Sequence, residues 1–390
     1  MAQVCTTPET VSALRGSRDR PWIPRFWSGM HLAGCVRALA ANRFRVHPRR
    51  LSMALIILLA GAVNTILGAL QRLFYGRRIA RTEIREHPIF VVGHWRSGTT
   101  LLHELLALDP RHAAPTTYAC FVPNHFLLTR RLFRPILSRL MPARRPTDDM
   151  PVGWDLPQED EFALCNMGMP SPYLTMMFPN RPPQYLEYLT LDRVPPPDRE
   201  RWKRALLWFL RSLTLDRARR LVLKSPPHTG RIRILLEMFP DARFVHIVRD
   251  PCVVFASTMR HYERLFRDQG LQWPRFEGLE ELVLDTGDRM YEAFERDRPL
   301  LARGRLCEVR YEDLVADTPG QMRRIYETLE LGEFDRVLPA IRQYVAARAG
   351  YQANRYEIPP ETRERISRRW HFGDRLRNPE TPAPERLGVS

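Results

Sequence analysis

The stretch "IFVVGHWRSGTTLLHELLALDP", residues 89–110, decides how the chain is read. A near-continuous apolar run suits a parallel strand covered on both faces, and it passes through a glycine-bearing turn into a helical pattern. Gly93 and Gly98 have the G-x-x-x-x-G spacing of a nucleotide phosphate loop. Backbone N–H groups at such a turn, with the helix dipole behind them, form an anion site whatever the side chains are. The lysine of a triphosphate loop is missing, however. Thr99 and Thr100 stand in its place, and Arg96 is the cation at mid-loop. No apolar strand ends in a metal-holding acidic residue, so magnesium-dependent phosphoryl transfer is poorly supported. A single phosphate fits better.

Outward from this loop, "RLVLK" (220–224), "ARFVHIV" (242–248) and "LCEVR" (306–310) repeat the buried-strand pattern, and amphipathic helical patterns fill the intervals. One of these, 199–213, sets Trp202, Leu206, Phe209 and Leu213 on one face, as core packing requires. Strands alternating with helices predict an α/β fold, P-loop-like and three-layered, around a central, mostly parallel sheet. Residues about 115–197 form an insertion rich in Pro, Met and aromatics, suited either to an adaptable acceptor pocket or to plain packing on the scaffold. A basic, helical N-terminal extension is predicted over 1–85, the main α/β domain over 86–378 and a disordered tail over 379–390.

Composition narrows the partners. The 390 residues carry a net charge of +16, which suits an anionic ligand or a membrane surface. Only two of the 60 basic residues are lysines, Lys203 and Lys224, so the high pI reflects an arginine bias more than a nucleic-acid site. No recognised nucleic-acid motif occurs, and no nucleic-acid partner is expected. The six cysteines show no C-x-x-C pair and no metal-ligand spacing, which predicts reduced thiols, a cytoplasmic location and no metal. The uncharged run "LSMALIILLAGAVNTILGAL" (51–70) has nearly the length of a bilayer span. Arginines bracket both ends and give no orientation. A buried or oligomer-forming helix, a membrane-surface helix and a span all remain compatible with it.

"GHWRSGTTLLHELLALDP" resembles the 5′-phosphosulfate loop of sulfotransferases that use 3′-phosphoadenosine 5′-phosphosulfate (PAPS), with Arg96 in the form found in tyrosylprotein sulfotransferases and a bacterial group. "ARFVHIVRDPCVVFAST" is similar to that family's 3′-phosphate segment, which implies that Arg249 and Ser257 hold the 3′-phosphate. "LVLKSPPHTGRIRILLEMFP" resembles the strand end that supplies a lysine to the transferring sulfuryl group, here Lys224. The resemblance therefore implies PAPS as co-substrate, bound by Arg96, Ser97, Gly98, Thr99, Thr100, Arg249 and Ser257. It also implies a small-molecule or lipid hydroxyl as acceptor. A base is needed beside that hydroxyl. The family often places a glutamate just after the loop helix, but "RHAAPTTYACFVP" has no carboxylate. The run "PQEDEFAL" offers Glu159, Asp160 and Glu161 instead. If a helix starts here, Glu159 shares a face with Phe162 and Ala163, and it is favoured over Glu161, with His228 as a further candidate. Arg348 or Arg355 could complete the 3′-phosphate contacts. A nucleotide kinase and a non-catalytic basic membrane protein are the rival readings.

Overall fold

Five strands, β1 (Ile89–Val92), β2 (His112–Ala113), β3 (Arg220–Lys224), β4 (Arg243–Val248) and β5 (Leu306–Arg310), form one parallel sheet in the order β2-β3-β1-β4-β5. The computed structural model describes residues 25–138, 153–348, 356 and 358–370. The period of two along each strand explains why the sheet is buried on both sides. Phe90, Val92, Leu221, Leu223 and Phe244 enter one hydrophobic cluster with Trp202, Leu206 and Phe209, whereas Ile89, Val91, Val222, Val245 and Ile247 enter another with Leu102, Leu105 and Leu106. Helices thus cover both faces, giving three layers. After β3 the chain crosses β1 to reach β4, so the carboxyl ends of β1, β3 and β4 surround a topological switch point, where open α/β sheets bind ligands.

The helices that matter for the site are α1 (Leu32–Ala41), α2 (Leu51–Arg81), α3 (Thr99–Ala107), α4 (Asp160–Asn166), α5 (Pro196–Asp216), α6 (Pro251–Gln269) and α7 (Leu279–Asp297). Within α5, Trp202, Leu206, Phe209 and Leu213 are all buried, as their spacing predicts. The insertion contains α4, short helices at Thr117–Phe121 and Phe126–Ser138, and 3₁₀ turns at Pro172–Met177 and Leu186–Leu189. The predicted tail, 379–390, lies outside the described residues, as do residues 1–24.

The N-terminal helices are integrated with the α/β body. Phe26, Trp27, Met53 and Ile57 share a hydrophobic cluster with Trp95, Tyr173 and Tyr262. Polar side chains of α2 fasten it further. Asn64 Nδ2 donates to the carbonyls of Ser28 (2.9 Å) and Met30 (3.2 Å), and its Oδ1 meets His125 Nε2 at 3.1 Å. Gln71 Oε1 accepts from the Leu127 and Leu128 N–H groups. The apolar run 51–70 is therefore a helix with one face packed on the protein.

Asn64→Leu would leave these partners unsatisfied, at a cost of about 1–3 kcal/mol. Urea unfolding of the whole chain is expected to register that loss. Unchanged stability would mean that α2 is not fastened in this way.

Candidate active site

The loop after β1 depends on its two glycines. Gly93 has φ +146°, and a Cβ there would lie 2.4 Å from the Ile247 carbonyl oxygen. Gly98 has φ +105°, and its Cβ would lie 2.4 Å from the Tyr311 ring. Gly93 N–H donates to Thr229 Oγ1 at 2.8 Å, tying the loop to the turn after β3. Ser97 Oγ and the Ser97 N–H both donate to the His94 carbonyl, at 2.8 and 3.2 Å, so Ser97 closes the turn with its hydroxyl and its amide. No side chain caps the N-terminus of α3, which starts at Thr99, so its first amides present a bare positive dipole end.

Arg96 has φ +68°, a left-handed backbone unusual for a side-chain-bearing residue. From that position its Nε donates to Ser257 Oγ at 3.0 Å, while its own carbonyl accepts from Arg249 Nη1 at 3.2 Å. The Arg249 guanidinium stacks 4.1 Å above the Tyr311 ring. Asp250 caps α6 by accepting from the Cys252 and Val253 N–H groups, 2.8 and 3.2 Å away. The loop and the segment after β4 thus join in one hydrogen-bonded surface of two arginines and a serine. Arg348 pairs with Glu104 at 2.9 Å and stacks on Tyr344, whereas Arg355 lies outside the described residues.

Opposite this surface stand three consecutive acid–base pairs. Lys224 Nζ contacts Glu159 Oε1 at 2.7 Å and Thr100 Oγ1 at 3.5 Å. His228 Nε2 meets Asp160 Oδ2 at 2.7 Å, with Ser225 Oγ donating to the other Asp160 oxygen at 3.0 Å. Arg231 grips Glu161 through Nη1 (2.6 Å) and Nη2 (3.2 Å), while Ser171 Oγ donates to Glu161 at 2.6 Å. The Asp160–His228 and Glu161–Arg231 pairs are fully buried, but the Glu159 side chain keeps 15 % of its surface exposed. Burial alone would raise the Asp160 carboxyl, yet the His228 charge and hydrogen bond, helped by Ser225, hold it below its ordinary value.

One local expectation is corrected here. The helix begins at Asp160, and Glu159 is its extended N-cap residue, φ −71° and ψ 125°. Freed from helical spacing, Glu159 turns towards Lys224 and accepts a short hydrogen bond from the Tyr173 hydroxyl. Tyr173 accepts in turn from Trp95 Nε1 at 2.9 Å. Burial and the Glu159 charge push the Tyr173 hydroxyl well above its usual range, so it stays a proton donor. Beside it lies a cavity of about 10 Å³, room for one water, lined by Trp95, Met176, Tyr262, Phe266 and Leu282.

Sequence reading missed Tyr173, Trp95, Tyr311 and Thr229. Tyr173 sits in the Pro- and Met-rich insertion, where only its aromatic character was legible. Thr229 lies within "KSPPHTGR", and its hydroxyl type in a turn after a strand was a signal available in principle. Among the described residues no group of three or more His, Cys, Asp or Glu is arranged to hold a metal ion.

Residues 88–336 match the model of the sulfotransferase family. The chain is 46 % identical to omega-hydroxy-beta-dihydromenaquinone-9 sulfotransferase Stf3 of Mycobacterium bovis and, equally, to that of Mycobacterium tuberculosis, over 96 % of this chain and 97 % of each relative. Among solved structures it resembles sulfotransferase STF9 from Mycobacterium avium (TM-score 0.66, 20 % identity, 96 % of this chain and 97 % of that one). It also resembles STF1 from Mycobacterium tuberculosis (TM-score 0.59, 21 % identity, 87 % and 90 %). The chain belongs to the sulfotransferase family and is an enzyme of that class.

Because Asp160 is depressed in the folded protein, its contribution to stability is complete above the unfolded carboxyl value of 3.8 and is lost as pH falls through the lower folded value. Asp160→Asn is expected to lower stability at neutral pH and to flatten the acid limb of a stability–pH curve below about pH 4. An acid limb as steep as the wild type's would assign that dependence to other carboxylates.

Proposed function

We propose that the chain transfers a sulfuryl group from PAPS to the hydroxyl of an apolar lipid alcohol, with Lys224 and Glu159 at the centre of the chemistry. One observation carries this reading: Lys224 Nζ lies 2.7 Å from Glu159 and within 3.5 Å of Thr100 on the phosphate-type loop. A cation, a carboxylate and an uncapped helix start therefore meet at the carboxyl edge of the sheet.

The residues suit a nucleotide donor with an anionic group at each end. A Cβ at Gly93 or Gly98 would collide with its surroundings, and the bare amides of Gly98, Thr99 and Thr100 would hold the 5′-phosphate, with Ser97 closing the turn that presents them. Arg249, its plane fixed on Tyr311, and Ser257 would hold the 3′-phosphate, a task suited to a guanidinium fork and a hydroxyl. Arg96 touches Ser257 and would link the two ends. When bound, the donor supplies an activated sulfuryl group, whose transfer forms an S–O bond to the acceptor, breaks the S–O bond to the 5′-phosphate and releases adenosine 3′,5′-bisphosphate. Lys224 and Arg96 would stabilise the charge that gathers on the phosphate side, in place of a metal ion. Glu159 would take the acceptor's proton, with its carboxylate aimed by Tyr173 and Lys224. His228 and Glu161, both fully buried and each held by a partner, would act as supports for the site instead.

The acceptor class rests on two supports. The 46 %-identical relative is named for a hydroxylated menaquinone, and the side chains around Tyr173 and its cavity are apolar and aromatic apart from Thr175 and Thr286. The buried thiols of Cys35, Cys120, Cys165 and Cys307, none of them in a disulfide, suit a reducing cytoplasm.

Calorimetry with adenosine 3′,5′-bisphosphate in EDTA is expected to show binding that plain AMP does not match and that Arg249→Ala weakens at least tenfold. No binding, or equal affinity for AMP, would sink the donor assignment. With PAPS and a hydroxylated menaquinone in detergent, Lys224→Ala and Glu159→Gln are each expected to lower kcat on the order of 10²–10³-fold, whereas His228→Gln should cost mainly stability. A His228→Gln loss as large as that of Glu159→Gln, in protein that melts normally, would move the base to His228.

A further inference from the structure

Helix α2 leaves a long apolar face uncovered by any described residue. Met53, Ile57, Gly61, Asn64, Gly68 and Gln71 point into the protein. Opposite them Leu55, Leu59, Val63, Ile66, Leu70 and Leu73 are exposed by 37 to 75 % each. Steps of three and four residues place these six in a single stripe roughly 27 Å long. Proteins that stay in water rarely expose so continuous an apolar face. Exposed Arg43, Arg45 and Arg49 lie before the stripe, and exposed Arg77, Arg78 and Arg81 follow it. From Arg25 to Arg81 the chain contains no aspartate or glutamate.

We propose that this face is a docking surface for an anionic phospholipid bilayer, with α2 lying along the membrane plane. Its leucines would enter the acyl-chain boundary and its terminal arginines would stay among the lipid phosphates, the arrangement expected of an interfacial amphipathic helix. A span is disfavoured by the opposite face, where Asn64 and Gln71 are hydrogen-bonded to the protein and would lose those partners in the bilayer core. A second copy of the chain is disfavoured by charge. Two stripes packed about a two-fold axis in antiparallel fashion would set one arginine cluster against the other, with no carboxylate in this segment to separate them.

The same helix contacts the interior near the site. Met53, Ala54 and Ile57 on its packed face belong to the hydrophobic cluster that contains Trp95, Tyr173 and Tyr262. Docking would therefore bring the apolar end of the site within one helical layer of the lipid. The docking inference stands on the stripe and its charges, and it does not require the acceptor proposed above.

The test is co-sedimentation of the full-length protein with vesicles of phosphatidylcholine alone and of equal parts phosphatidylcholine and phosphatidylglycerol. Pelleting is expected with the anionic vesicles, and added salt should weaken it. Leu59→Glu combined with Ile66→Glu should reduce it at least tenfold while leaving the melting temperature unchanged. Arg77→Ala and Arg78→Ala should each weaken binding to anionic vesicles by about fivefold, the worth of one basic residue at such a surface. The proposal is overturned by no pelleting with either vesicle, or by equal pelleting of the double glutamate variant. It is equally overturned by sedimentation velocity showing a dimer that those glutamates convert to monomer.

Discussion

Three successive carboxylates face three basic side chains from the end of β3 and the turn that follows it, and the geometry of the site depends on that ladder. Glu159, Asp160 and Glu161 meet Lys224, His228 and Arg231 in order. Burying charge is expensive, and a buried pair recovers the cost only when its remaining lone pairs and protons are also satisfied. The Glu161–Arg231 rung meets that condition, with Ser171 completing Glu161 and the Tyr188 carbonyl accepting from Arg231 at 2.9 and 2.7 Å. In the Asp160–His228 rung Ser225 completes Asp160, while His228 Nδ1 is buried with no partner among the described residues. The outer rung alone retains access to water. Two closed rungs thus fix the position of one open rung, and the open one holds the carboxylate and the ammonium that face the loop. A slip of one residue along the acidic run would set each carboxylate against a different base and abandon these contacts. Specific register, more than net stability, is what such buried pairs provide here.

How much of this was legible in the sequence follows from which signals are local. The strand–loop–helix unit at 89–110 was plain because apolar period, glycine spacing and the missing lysine all sit within one short window. β3, β4 and β5 were equally visible as continuous apolar runs. The apposition of Arg96, Ser257 and Arg249 was accessible only through resemblance, since it joins positions far apart in the chain. The carboxylate ladder was half visible. Its three acidic residues stood out, but a helical reading of Glu159 failed because the chain enters α4 one residue later, which leaves Glu159 extended and free to turn. Tyr173 was hidden by its setting in an insertion whose composition suggests adaptable packing. Its hydroxyl matters only because folding brings it to a carboxylate 14 residues away.

The apolar segment 51–70 shows the complementary difficulty. Hydropathy alone cannot separate a helix with one packed face from one surrounded by lipid, because both are apolar along their length. The two small residues Gly61 and Gly68 and the two polar residues Asn64 and Gln71 carry the distinction. They fall on one side of the helix, and that side is the one pressed against the protein. Read as a window average, they merely dilute a membrane signal; read by period, they mark the seam.

The two lysines separate composition from chemistry. In a chain that uses arginine almost everywhere, either lysine would seem equally retained. Lys203 lies on α5, paired with Glu200 at 3.1 Å and Glu237 at 2.6 Å on the protein surface, where an arginine would serve as well. Lys224 is 3 % exposed and sits between Glu159 and Thr100. A planar guanidinium is larger, spreads its charge and prefers a bidentate carboxylate, so an arginine there would take up both Glu159 oxygens and displace the Tyr173 hydroxyl from one of them. A compact ammonium occupies one oxygen and leaves the other to Tyr173, with its remaining donors free for the loop side. Scarcity therefore draws attention to a lysine, but only the space around Nζ explains why this one is a lysine.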